Sequence, residues 1–118
     1  MRYVDGFVLP VPKKNMAAYR RMAQQAGKVW KQHGAIEYRE CVGDDLATTF
    51  GLPFPRVAKI KTGETVLFSW IVYKSKAHRN QVNKKVMADP RIKKMMQSKP
   101  PFDDKRMAYG GFKVVVDL

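Results

Sequence analysis

Apolar and polar residues alternate with a period of two from Tyr3 to Val11. Tyr3, Asp5, Phe7, Leu9 and Val11 fall on one side, and Val4, Gly6, Val8 and Pro10 on the other, which predicts a first β-strand. Pro10 has no N–H to give to a ladder, so the strand is expected to end near it or to lie at an edge there. The period then changes to three and four. Met16, Tyr19, Met22, Ala23, Ala26, Val29 and Trp30 mark a helix, with Asn15 as its expected N-cap and Gly34 as a left-handed stop. Ala35 to Val42 predicts a second strand, with Ile36, Tyr38, Glu40 and Val42 on one face and Glu37, Arg39 and Cys41 on the other.

Residues 43 to 63 carry Gly43, Gly51, Pro53, Pro55 and Gly63 and little periodicity, which predicts a long excursion before the next strand. Glu64 to Tyr73 is rich in β-branched and aromatic residues and apolar on both faces, which predicts a central strand. Ser75 opens a helix with His78, Val82 and Val86 on one face. Asp89-Pro90 then caps a shorter helix bearing Ile92, Met95 and Met96, and Pro100-Pro101 stops it. Met107 to Val116 is the last predicted strand, and its Gly110-Gly111 pair points to a bulge or a close backbone approach.

The predicted order is β-α-β-β-α-β: an α+β, ferredoxin-like fold with an antiparallel sheet and helices on one face, in a single domain over residues 1–118. The other sheet face then carries large apolar side chains, Phe7 and Phe68 or their neighbours among them. A second copy is expected to cover it, giving a homodimer with a pocket inside each half.

Composition changes this picture in two ways. A chain of 118 residues that is 45% apolar can bury roughly two-thirds of its unfolded surface, enough to fold without a disulfide. The single Cys41 fits a reducing compartment, and the longest apolar stretch, Val66 to Tyr73, is far short of the about 20 residues a membrane span needs. An acid at Asp5 and prolines at 10 and 12 are unlike a secretory signal, so a mature cytoplasmic chain is expected. The net charge of +13 invites a polyanion or RNA partner. Between Lys74 and Lys99 stand nine basic residues and one acid, and Lys84, Lys85, Lys93 and Lys94 are the candidates for such a surface; because they are interspersed with other residues, a solvated helical face is the plainer reading.

Four separated segments carry a family resemblance: Tyr3-Val4-Asp5-Gly6-Phe7-Val8, Phe68-Ser69-Trp70-Ile71, Met87-Ala88-Asp89-Pro90-Arg91, and Pro101 to Phe112. Together they resemble the YbaA-like family of uncharacterised bacterial domains, within the dimeric α/β-barrel superfamily. That superfamily also contains cofactor-free monooxygenases, muconolactone isomerases and haem-handling members. The resemblance implies a dimer with an internal cleft and does not imply one reaction. Asp104 stands where the family pattern has glycine, and Val42 where it has an aromatic residue.

Asp5 and Glu40 are acids set in apolar strands, and a buried carboxylate needs a partner or a function. With Arg106 and Tyr109 they are expected to form either a general acid–base cluster or a structural ion-pair network. Trp70 and Tyr109 are candidates to line a pocket, or else to pack in the core. No metal site is expected, since two histidines and one cysteine lack ligand spacing, and neither a dinucleotide fingerprint nor a P-loop is present, so no cofactor is expected. Cys41 on a strand reads as packing rather than as a nucleophile. The functional expectation is a homodimeric small-molecule-binding protein, extending to a cofactor-independent enzyme of the monooxygenase or isomerase kind that acts on an apolar or aromatic ligand. Polyanion binding and a ligand-free structural dimer are the alternatives.

Overall fold

The computed structural model describes all 118 residues. Strand β1 (Tyr3–Pro12) leads into helix α1 (Met16–Gln32). Strand β2 (Glu37–Val42), a one-turn helix α2 (Phe54–Val57) and strand β3 (Glu64–Tyr73) follow. Helices α3 (Lys76–Ala88) and α4 (Pro90–Met96) then precede strand β4 (Ala108–Lys113). The strands form one antiparallel sheet in the order β2-β3-β1-β4, the ferredoxin-like arrangement expected from the pattern.

Local chemistry explains most of the boundaries. Gly34 adopts φ of +115°, where a side chain would be strained, and this lets Ala35 N–H reach back to the Trp30 carbonyl at 3.0 Å to close α1. At the start of α3 the Ser75 hydroxyl accepts from His78 N–H at 3.0 Å, and at α4 the Asp89 carboxylate accepts from Arg91 N–H at 2.9 Å. Asn15 departs from expectation: it stands at the N-cap position of α1, but its side-chain amide donates to the Pro101 carbonyl at 3.0 Å, tying the helix to the distant 100–107 segment.

Pro10 does not end β1, which runs on to Pro12. The reason lies in the register: β4 pairs with β1 only as far as Val8, so Pro10 faces an open side where no ladder bond is lost. The last strand is shorter than expected, 108–113 rather than 107–116. Its Gly110-Gly111 pair holds an unbroken register against Gly6 and Asp5, so it makes a close approach and not a bulge.

The register sorts side chains into two layers. Tyr3, Asp5, Phe7 and Leu9 of β1 share the helix-covered face with Leu67, Ser69, Ile71 and Tyr73 of β3. Tyr38 and Glu40 extend this face across β2, and Tyr109 and Gly111 across β4. There Ile71, Tyr73, Val29, Val82, Val86 and Ile92 form the main buried cluster, while Leu9, Val11, Tyr19, Ala23 and Leu67 form a second. Phe7, expected on the uncovered face, instead points into the helix layer and stacks on Tyr109 with ring centroids 4.9 Å apart. The uncovered face carries Phe68, Trp70 and Phe112; Phe68 is 45% and Phe112 61% exposed.

An ion pair closes one end of the sheet. Arg106 forks onto Glu64, with one guanidinium N–H donating to Oε1 at 2.8 Å, and also donates to Asp103. Hydrogen bonding from Arg106 lowers the Glu64 carboxyl from its ordinary 4.5 to about 2. Because the folded value lies below the unfolded one, this stabilisation is complete above pH 4.5 and fades as pH falls toward 2. Glu64→Gln is therefore expected to lower stability by about 1–2 kcal/mol at pH 7, discounted for solvent screening, and by nearly nothing at pH 2. Urea melts of both proteins at the two pH values test this, and an equal difference at both would refute it.

Candidate functional site

Between the sheet and helices α1, α3 and α4 lies a cavity of about 410 Å³. Its walls are mostly apolar: Met22, Trp30, Met87, Ile92, Met95 and Phe102 reach it from the helices and the 97–107 connection, with Phe7, Leu9 and Ile71 below. Volume and lining suit a small organic molecule. Flexible methionines in the wall let it adapt to ligand shape.

Two polar groupings interrupt this lining. The first centres on Asp5, which is only 1% exposed. Arg79 of α3 approaches it, Nε to Oδ1 at 3.5 Å, within ion-pair reach but without hydrogen-bond alignment, so both atoms remain unpartnered. Arg79 also donates to the Tyr3 hydroxyl at 3.2 Å and lies over that ring. Gly111 makes this possible: a Cβ there would collide with the Tyr3 hydroxyl and lie 2.9 Å from the guanidinium. Beside them the Tyr73 hydroxyl donates to Asn83 Oδ1 at 3.0 Å, and the Trp30 indole N–H donates to both at 3.2 Å. Burial pushes the Asp5 carboxyl above its ordinary 3.8, with Arg79, Asn83 and Tyr73 pulling the other way.

The second grouping is Glu40, which accepts from the Tyr19 hydroxyl at 2.7 Å and from the Tyr38 hydroxyl at 2.8 Å. Burial, reinforced by the carboxylate, raises both phenols well above the usual range and keeps them protonated donors. Gly27 of α1 permits this packing, since a Cβ there would come 2.7 Å from the Tyr38 ring. Tyr19 and Tyr38 lie where the alternation of β2 and the three-and-four spacing of α1 put them, on the faces that meet.

The sequence-derived candidates separate in the fold. Asp5, Glu40 and Tyr109 all border the cavity. Trp70 borders it with its strand, but alternation turns its indole to the uncovered face, where the ring lies 5.5 Å from Phe68 and the N–H donates to Glu37 at 2.7 Å. Arg106 is not with Asp5 and Glu40; it belongs to the Glu64 pair at the end of the sheet, and the cation beside Asp5 is Arg79. Lys84, Lys85, Lys93 and Lys94 are exposed on α3 and α4 and do not line the cavity. Arg79 and Asn83 escaped the sequence reading. Their four-residue spacing, one step from Val82 and Val86, was the available signal that they share the inward face of α3.

Comparison with known proteins yields four matches. A family model described as "Protein of unknown function (DUF1428)" matches residues 2–104. The uncharacterized protein YbaA of Escherichia coli strain K12 is 44% identical over 117 residues, covering 99% of each chain, which bears out the resemblance seen in the motifs. Among solved structures, SnoaB, a cofactor-independent oxygenase from Streptomyces nogalater, matches with a TM-score of 0.61 at 11% identity, over 99% of this chain and 96% of that one. An uncharacterized NIPSNAP domain protein from Burkholderia xenovorans matches with a TM-score of 0.60 at 13% identity, over 96% and 94%. At these identities the structural likeness speaks for the fold alone.

Proposed function

We propose, for a chain that belongs to the DUF1428 family, that it is a homodimeric protein which binds an apolar or aromatic small molecule between its sheet and helices and acts on it without a cofactor. One observation carries this reading: a fully buried carboxylate, Asp5, borders a mostly apolar cavity with one oxygen unpartnered. Holding a carboxylate there costs several kcal/mol unless it is fully paired. Asp5 is paired only in part, so a ligand hydroxyl or other donor completes it.

The chemistry that suits this arrangement is proton abstraction. Asp5 takes a proton from an acidic O–H or C–H of the ligand, and its raised pKa makes it a better base than an ordinary aspartate. The Arg79 guanidinium, 3.5 Å from Asp5, takes the place beside the carboxylate expected from the sequence for Arg106 and favours the charged, proton-accepting form. Tyr109 offers a hydroxyl to orient a polar edge, while the methionine and aromatic walls hold an apolar body. A cofactor-independent oxygenase among the structural neighbours is compatible with such chemistry. The homodimer half of the reading rests on the uncovered sheet face, whose exposed Phe68 and Phe112 call for a second copy.

Native mass spectrometry of freshly purified protein, followed by denaturing release of any bound molecule, tests the reading first. Calorimetric titration with a neutral aromatic probe, 2-acetylnaphthalene, follows. Wild type is expected to carry a small molecule or to take up one probe per chain. Met22→Trp, which fills the cavity from α1, should weaken probe binding on the order of tenfold or more. A wild-type protein with neither adduct nor probe binding would remove the basis of this reading.

A further inference from the structure

The inner cavity is not isolated from the surface. Along the seam between α1 and β2 runs an open groove of about 1020 Å³, and Tyr19, Tyr38 and Glu40 border both it and the inner cavity. The wall between the two spaces is thus a carboxylate held by two phenol hydroxyls, at 2.7 and 2.8 Å. Tyr19 also packs in the second buried cluster and Tyr38 against the first, so the two spaces join only when these rings shift and their hydroxyls leave Glu40.

The outer groove has a definite electrical character. Arg20, Gln24, Lys28 and Lys31 recur along α1 at spacings of four, four and three, which places them on one stripe beside β2. Helix α1 contains no acidic residue at all, so nothing on its own surface neutralises these cations. Lys31 is fixed against the start of β2 by donating to the Ile36 carbonyl at 2.7 Å. Glu40 is the one acid bordering the groove, and both its oxygens are engaged by phenols. An anionic group in the groove therefore meets three cations against one carboxylate already satisfied.

From these two spaces sharing one hydrogen-bonded wall, we infer that the ligand is an amphipathic carboxylate. Its apolar body occupies the inner cavity, and its carboxylate lies in the α1–β2 groove against Arg20, Lys28 and Lys31, passing the Tyr19–Glu40–Tyr38 wall. The inference rests on the cavity reading above and adds the ligand's charge and route of entry. The cavity by itself gives an anion no such preference: of its charged lining residues Asp5 and Glu40 are acids and Arg39 is the single cation, whereas the groove offers three cations.

The test compares 2-naphthoate with neutral 2-acetylnaphthalene, by calorimetry at low ionic strength, against wild type and three variants whose folds are checked by circular dichroism. Wild type is expected to prefer the anion by about five- to tenfold, the preference shrinking as salt is raised. Arg20→Ala/Lys28→Ala/Lys31→Ala should abolish the preference. Arg20→Glu/Lys28→Glu, which leaves the Lys31 bond intact, should reverse it. Lys84→Ala/Lys85→Ala/Lys93→Ala changes net charge as much as the first variant but away from the groove, and should leave the preference in place. Equal binding of both probes, or equal loss in the groove and control variants, overturns the inference while the cavity reading stands. Binding of neither probe overturns both.

Discussion

On the proposed homodimer, Phe68→Glu is expected to halve the mass of the protein in solution, from twice 13.6 kDa to 13.6 kDa. Phe68 stands on β3, a central strand, in an aromatic row with Trp70 and Phe54, at ring distances of 5.5 and 5.9 Å. Across the same face the Phe112 ring reaches over Gly6, close enough that a Cβ there would be 3.4 Å from it. Glu37 and Arg39 of β2 give this face a polar margin. Such an apolar centre with a polar rim is the anatomy of an interface, and a face-to-face pair of sheets with two-fold symmetry uses the same patch twice. A glutamate at 68 would bury an unpaired charge in each copy, at several kcal/mol apiece, and raise the dimer dissociation constant by on the order of a thousandfold or more. Helix-side packing is untouched, so the separated chain should keep its circular dichroism spectrum. Size-exclusion chromatography with light scattering reads the outcome directly; a wild-type chain that already runs at 13.6 kDa would show the uncovered face needs no partner.

Asp5→Asn should be nearly silent in stability and severe in function. The amide keeps the shape and removes the charge that burial penalises. The sign follows from the raised carboxyl: the folded value lies above the ordinary 3.8, so the folded state loses stability as pH climbs past 3.8, and at neutral pH the charged Asp5 is a burden on the fold. Arg79 would lose its ion pair but keep the Tyr3 hydroxyl and ring. The two changes oppose each other, and the melting temperature should move by no more than about 5 °C. Turnover of a substrate identified from the released ligand should drop by about 10² to 10⁴, the usual contribution of a general base. Wild-type rates should rise with pH along a limb that sits above the ordinary aspartate value and is missing in the variant. A collapse in melting temperature instead would assign Asp5 to a structural ion pair.

How much of this was legible beforehand depended on the range of the interaction. Strand β3, Glu64–Tyr73, is legible to the residue because its composition and both its boundaries are local features, as are the Ser75 and Asp89 caps. The acids at 5 and 40 stood out because a carboxylate inside an apolar strand is anomalous whatever surrounds it. Of the partners expected for them, Tyr109 borders the same cavity and Arg106 does not. Arg106 and Arg79 look alike in sequence, and only the reach of the Arg79 side chain over Gly111 and the meeting of the 104–106 turn with Glu64 decide which guanidinium goes where.

The same contrast holds for faces and for the site. Alternation determined that Trp70 and Ile71 point oppositely and that Phe7 shares a side with Asp5, since a strand has a period of two under any fold. Which side the helices cover is a property of the assembled layers, and it put Phe7 inside and Trp70 out. Sequence by itself determined the element order, the ferredoxin-like class and the presence of carboxylates where carboxylates are expensive. Tertiary structure alone decided that Tyr19 and Tyr38, from a helix and a strand, converge on Glu40, and that Asp5 keeps an unpartnered oxygen beside a cavity. Periodicity fixes a side chain's direction relative to its own element, whereas contact between elements depends on the packing of all of them at once.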